Sequence, residues 1–180
     1  MGSLEGVVST HSAWIGKREV VEIRYRPEVL AFERLLDVAI ERSCDQQVYA
    51  TTDAQFATAK ARLGDKVQRF DGEMRAAKAS DQLYYLGRSP HRWLPLTPMQ
   101  ARQVNAALGA KALGAKVAGT DAQPADFLSP RQLALAARIA KLGDAAEAEL
   151  SKNERPAKVE GLAAYEQKLL ATLKRLESGR

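Results

Sequence analysis

Val7-Val8-Ser9-Thr10-His11-Ser12-Ala13-Trp14-Ile15 and Glu19-Val20-Val21-Glu22-Ile23-Arg24-Tyr25-Arg26 carry β-branched or aromatic residues at period two, the mark of strands. Gly16-Lys17 sits between them with the glycine first, which suits a two-residue type II′ hairpin turn. That turn sets a register: Trp14 opposite Glu19, Ser12 opposite Val21, Thr10 opposite Ile23 and Val8 opposite Tyr25. The face made of these residues is the more apolar one and is expected to meet the core. His11, Arg18, Glu22, Arg24 and Arg26 share the other face, which reads as solvated, with His11 and Glu22 as a surface pair.

On this register Glu19 is out of place. It shares the inward parity of Val21, Ile23 and Tyr25 and lies across from a tryptophan. Desolvation there favours the protonated carboxyl, the form a general acid needs near neutral pH. The plainer reading is a strand-end carboxylate that reaches water past the hairpin tip. Trp14 by itself is a core aromatic; its pairing with Glu19 makes it a candidate pocket wall.

Working outward, Pro27 ends the second strand and a helix is expected from Glu28. Val29, Phe32, Leu35, Leu36, Ala39 and Ile40 fall on its buried face. Cys44 follows, then a short strand, Gln47–Ala50. Thr52 and Gln55 form a capping box for a helix that runs to about Leu63, with Phe56, Ala59 and Leu63 inside and Gly64 as the stop. Gln68–Gly72 reads as a short extended piece ending in an Asp71-Gly72 turn.

Several of these pieces together resemble the peptide methionine sulfoxide reductase A family. They are Gly6-Val7-Val8-Ser9-Thr10, the Trp14-Ile15-Gly16 tip, Glu19 through Pro27, the Phe32-Glu33-Arg34-Leu35-Leu36 helix and Thr51-Thr52-Asp53-Ala54-Gln55. The resemblance covers roughly the first third of the chain and rests on order and spacing. It implies a ferredoxin-like α+β unit and thiol-dependent reduction of methionine sulfoxide in peptides or proteins. A thioredoxin-like reductant would supply electrons, and no cofactor is called for. Glu19 falls on the acid that protonates the sulfoxide oxygen. Trp14 falls on the aromatic residue that lines the substrate methyl pocket. A further tyrosine of the family, near the next strand, falls close to Cys44. The family's nucleophile belongs to a Gly-Cys-Phe-Trp motif before the Gly-Val-Val-Ser-Thr stretch, and the sequence given holds no such motif. The usual longer loop with Gly-His-Ala-Glu is here Gly16-Lys17-Arg18-Glu19.

Composition narrows the alternatives. The chain has 180 residues, a hydrophobic fraction of 46% and a net charge of +5, ordinary for a soluble protein and only diffusely basic, so nucleic-acid binding is not expected. One cysteine excludes an internal disulfide, and two distant histidines, His11 and His91, argue against zinc. No run has the length of a membrane span and no signal peptide is visible, so a cytoplasmic location is the default. Cys44 is either a redox partner for a nucleophile elsewhere or a small residue at a helix exit.

Beyond residue 72 the pattern becomes helical. Ser80 is a candidate cap for a short helix holding Leu83, Tyr84 and Leu86, and Arg88–Leu96 reads as a loop. Leu96-Thr97-Pro98-Met99-Gln100 and Leu128-Ser129-Pro130-Arg131-Gln132 share one plan: a leucine, a Thr or Ser N-cap, proline at the first helical position and a box-closing glutamine. They open helices over about Pro98–Leu108, with Val104 and Leu108 inside, and Pro130–Leu142, with Leu133, Ala136, Ala137 and Ala140 inside. Similarity fades beyond the caps, which favours two good helix starts over duplication. Ala110–Pro124 reads as a flexible linker. Leu162, Tyr165, Leu169, Leu173 and Leu176 form a narrow seam on a helix over Val159–Leu176, expected to pack within the chain.

The expected fold is α+β: a small antiparallel-rich sheet with packed helices in residues 1–72, then an all-helical half, 73–180. Two functional expectations follow. Either an upstream strand and helix carry the nucleophile, or the chain is complete, lacks catalysis and binds a partner through its helical extension. As given, it is expected not to reduce methionine sulfoxide, for want of a thiolate at the site.

Overall fold

A computed structural model describes residues 1–112 and 122–179. They form two compact units, one built on Met1–Gln82 and the other on Leu83–Lys111 with Ala122–Arg180. The first unit thus extends past residue 72.

In the first unit, β1 (Val7–Ile15) and β2 (Arg18–Tyr25) form the antiparallel hairpin. Gly16 has a φ of +59° and Lys17 does not share it, the signature of a type II′ turn. Trp14 faces Glu19, Ser12 faces Val21 and Thr10 faces Ile23, as the turn dictates. The register then slips: Tyr25 pairs with Val7, and Arg24 with Ser9. Val8 is the extra residue of a β-bulge and is 52% exposed, whereas Val7 is buried. The bulge turns Val7 into a cluster with Leu30 and Leu35, flanked by Ile23 and Tyr25. Burial is therefore concentrated at the open end of the hairpin. Nearer the tip Val21 is 55% exposed, so the expected apolar face is not buried along its length.

The helix after the hairpin, α1 (Phe32–Glu41), starts later than expected, because 27–30 make a turn. It buries Leu35, Leu36 and Val38; Val29 and Ile40 are exposed instead of inside. Next come β3 (Val48–Ala50), α2 (Asp53–Leu63) and β4 (Val67–Arg69). β3 and β4 pair in parallel as a separate two-stranded sheet, not as part of a single antiparallel-rich one. Their crossover, α2, buries Ala59 against Leu36, Ala50 and Val67. Thr52 caps α2 by accepting from Gln55 N–H, while the Gln55 side-chain oxygen bonds Thr51 N–H rather than the Thr52 N–H that the expected capping box would use. A two-residue strand, β5 (Arg75–Ala76), joins the outer side of β1, so the first sheet runs β2-β1-β5. α3 (Ala79–Gln82) follows.

The second unit is helical: α4 (Tyr84–Gly87), a 3₁₀ turn over Pro90–Trp93, α5 (Pro98–Ala112), α6 (Pro130–Leu142), α7 (Asp144–Leu150) and α8 (Leu162–Glu177). Of the stretch read as a linker, Ala110–Ala112 belong to α5, Pro124 opens a 3₁₀ turn, and 113–121 lie outside the described residues. One apolar cluster unites Leu86, Leu94, Leu96, Val104, Leu135, Ile139, Leu150 and the α8 seam of Tyr165, Leu169 and Leu173. In α6 the buried face carries Gln132, Leu135 and Ile139, whereas Leu133, Ala137 and Ala140, expected inside, are exposed. The α+β class with a helical second half is what the pattern implied.

Candidate functional site

The ladder holds Trp14 directly across from Glu19, one residue in from the tip. Pairing of β5 with β1 places Arg75 beside Trp14 on the other side, with its guanidinium 5.6 Å from the ring centroid, a cation–π contact. Glu19 itself is exposed. The expectation of a desolvated acid fails on this point: the core lies at the far end of the hairpin, and the tip is wet. Glu19 has no ion pair among the described residues.

Cys44 lies elsewhere. Ser43, with a φ of +54°, ends α1, and Cys44 N–H donates to Ala39 O at 2.8 Å. The thiol is exposed and meets Arg42 O at 3.4 Å. Burial holds the Arg42 guanidinium below its ordinary pKa, partly offset by the charges of Cys44 and Glu41. No hydrogen bond joins Cys44 to Glu19 or Trp14 among the described residues. The structure thus pairs two of the three expected site residues, and the third is held by bonds to α1.

Beside the hairpin tip is an open depression of about 430 Å³, lined by Ile15, Lys17, Arg18 and Tyr49. Tyr49, from β3, is braced edge-on by Phe70 at 5.7 Å. The lining offers two cations and a phenol, a setting whose charge suits an anion. Among the described residues no group of three or more His, Cys, Asp or Glu side chains is placed to hold a metal ion. No helix there is long and apolar enough to cross a membrane.

The second unit holds polar contacts that sequence reasoning did not find. Both Leu-(Thr/Ser)-Pro-x-Gln boxes close as expected: Thr97 with Gln100, and Ser129 with Gln132. The two glutamines also bond each other, Gln100 Nε2 to Gln132 Oε1 at 3.0 Å and Gln132 Nε2 to Gln100 Oε1 at 3.2 Å. Each then donates to the carbonyl two residues before the other's cap: Gln100 to Phe127 O at 3.1 Å, Gln132 to Pro95 O at 2.8 Å. This reciprocity explains why Gln132 faces inward. The signal was present, as the same glutamine at the same offset twice. Nearby, Tyr165 donates to Trp93 O at 2.9 Å and Arg155 to Leu96 O at 3.0 Å. Burial raises the Tyr165 pKa and lowers that of Arg155. No family model, curated protein or solved structure matches the chain.

Proposed function

We propose that this chain is a non-catalytic relative of peptide methionine sulfoxide reductase A, working as a binding protein through its helical unit. The observation that carries this reading is the placement of its single thiol. Cys44 sits at the exit of α1, bonded to Arg42 O, and no hydrogen bond joins it to Trp14 or Glu19 among the described residues. A thiol must reach the sulfoxide sulfur for the reductase reaction to begin. On the helical unit, Met99 and Leu133 are 57% and 39% exposed in the first turns of α5 and α6. The test is reduction of a methionine sulfoxide peptide with dithiothreitol as electron donor. No turnover above the protein-free control is expected. Turnover that disappears in Cys44→Ser would make the chain a reductase.

A second reading, peptide-methionine (S)-S-oxide reductase, draws on the Trp14–Glu19 register, which keeps the acid and the pocket aromatic adjacent. In that reading a nucleophile comes from a further segment and a thioredoxin-like protein restores it. An in-frame Gly-Cys-Phe-Trp-like codon run upstream of Met1 would support it.

A further inference from the structure

The two edges of the first sheet are treated differently. Ser12 N–H donates to the Gln82 side-chain oxygen at 3.0 Å, and Ser12 O accepts from Gln82 Nε2 at 2.9 Å and from Ala77 N–H at 2.9 Å. With β5 paired at Ala13 and Trp14, the outer edge of β1 is thus closed from Ser12 to Trp14. These bonds also show that the Ser12 backbone points away from β2. In an antiparallel ladder, opposite residues share that property. Hence Val21, opposite Ser12, turns its N–H and C=O outward, and so do Glu19 and Ile23, opposite Trp14 and Thr10. No hydrogen bond reaches these groups among the described residues, and β2 is a strand of 8 residues at the end of the sheet. An open edge of this length is a template for another strand.

The side chains beside the edge indicate the occupant. One face presents Arg18, Glu22 and Arg24; Glu22 is already shared between His11 at 3.5 Å and Arg24 at 3.1 Å. Lys17 and Arg18, at the depression beside the tip, have no ion pair among the described residues. The other face presents Val21 and Ile23, with Glu19 at the end. A second copy fits poorly over the strand's full length. Self-pairing over the strand's length centres on Val21, which sets Arg18 against Arg24, or on Glu22, which sets that carboxylate against itself.

We propose that the free edge of β2 binds an extended peptide segment of a partner by strand addition, with aliphatic residues at alternate positions, Asp or Glu at the two positions that meet Arg18 and Arg24, and an uncharged residue opposite Glu22. Its acidic side chains lie over Arg18 and Arg24 and its aliphatic ones over Val21 and Ile23. This surface belongs to the strand-bearing unit and does not depend on the helical contacts proposed above.

The probe is a short capped peptide, Glu-Val-Thr-Val-Thr-Val-Glu, whose glutamates meet Arg18 and Arg24 and whose threonines meet Val20 and Glu22; it is titrated into the full chain and followed by amide hydrogen exchange and backbone NMR shifts. Slowed exchange is expected at the Glu19, Val21 and Ile23 amides and not at Val20, Glu22 and Arg24. Replacing Glu by Lys in the peptide should abolish binding, a control that needs no protein variant. Lys17→Glu with Arg18→Glu should weaken it roughly three- to tenfold. Absence of peptide-dependent protection at the three amides overturns the proposal, as does equal binding of the Lys peptide. Protection that grows with protein concentration alone would assign the edge to a second copy, and equally overturns it.

Discussion

The two units handle polar backbone differently. In the helical unit the glutamines of α5 and α6 turn inward and satisfy each other, and Tyr165 and Arg155 cover the carbonyls of Trp93 and Leu96. Its apolar residues form one cluster. The strand-bearing unit divides its apolar residues between two small clusters and leaves β2 open along one side. A single core lets buried polar groups find partners across the unit, whereas a hairpin anchored at one end leaves its tip to water.

The largest expected effect probes the cores. Leu173→Ala, at a site fully closed to solvent in α8, should cost about 2–5 kcal/mol in urea unfolding. Leu36→Ala should sit at the low end of that range, since its smaller cluster has fewer neighbours to lose. The reverse order would mean the comparison is drawn the wrong way. Next comes Gln132→Ala, which strips partners from Pro95 O, Ser129 N–H and Gln100. A loss of about 1–3 kcal/mol is expected. Combined with Gln100→Ala, the total should fall short of the sum, because the two side chains share one network; strict additivity would show that they act apart.

A smaller effect is read from pH. Burial lowers the His91 imidazole pKa below its ordinary value, so the native state favours the neutral ring. Its stability contribution is complete above the unfolded value of ~6.5 and is lost as pH falls through the folded one. Urea midpoints should therefore decline on acidification through that window, and His91→Gln should flatten the decline. An unchanged slope would assign the acid sensitivity to other groups. Least of all, Glu19→Gln should shift stability by no more than about 0.5 kcal/mol, as an exposed tip residue does. A larger change would restore the case for a shielded carboxyl.

How much was legible follows from what each feature depends on. The hairpin turn, the Thr52 cap and both later capping boxes are local, and their residues specify them. The bulge was not legible, because Val7 and Val8 are equally apolar and only Leu30 and Leu35 decide which turns in. The face of α6 was misread for a related reason. Leu133 outranks Gln132 on hydrophobicity, but the partner of Gln132 is a glutamine 32 residues away, which periodicity does not weigh. β5 has two residues, too few to show a period, and the parallel pairing of β3 with β4 is a choice of neighbour. For the site, the register that joins Trp14 to Glu19 was local and held, while the exposure of Glu19 depended on where the core lies.

The crossed glutamines also bear on the order of folding. Starting a helix is its costly step, since a first turn fixes several residues for one hydrogen bond. Here the residue that closes each first turn is also bonded to the segment leading into the other helix. Neither nucleus reaches its full set of bonds until both are docked. Initiation of α5 and of α6 is thereby tied into a single cooperative event, and the fraying that ordinarily loosens helix ends one at a time is, at these two ends, a joint opening.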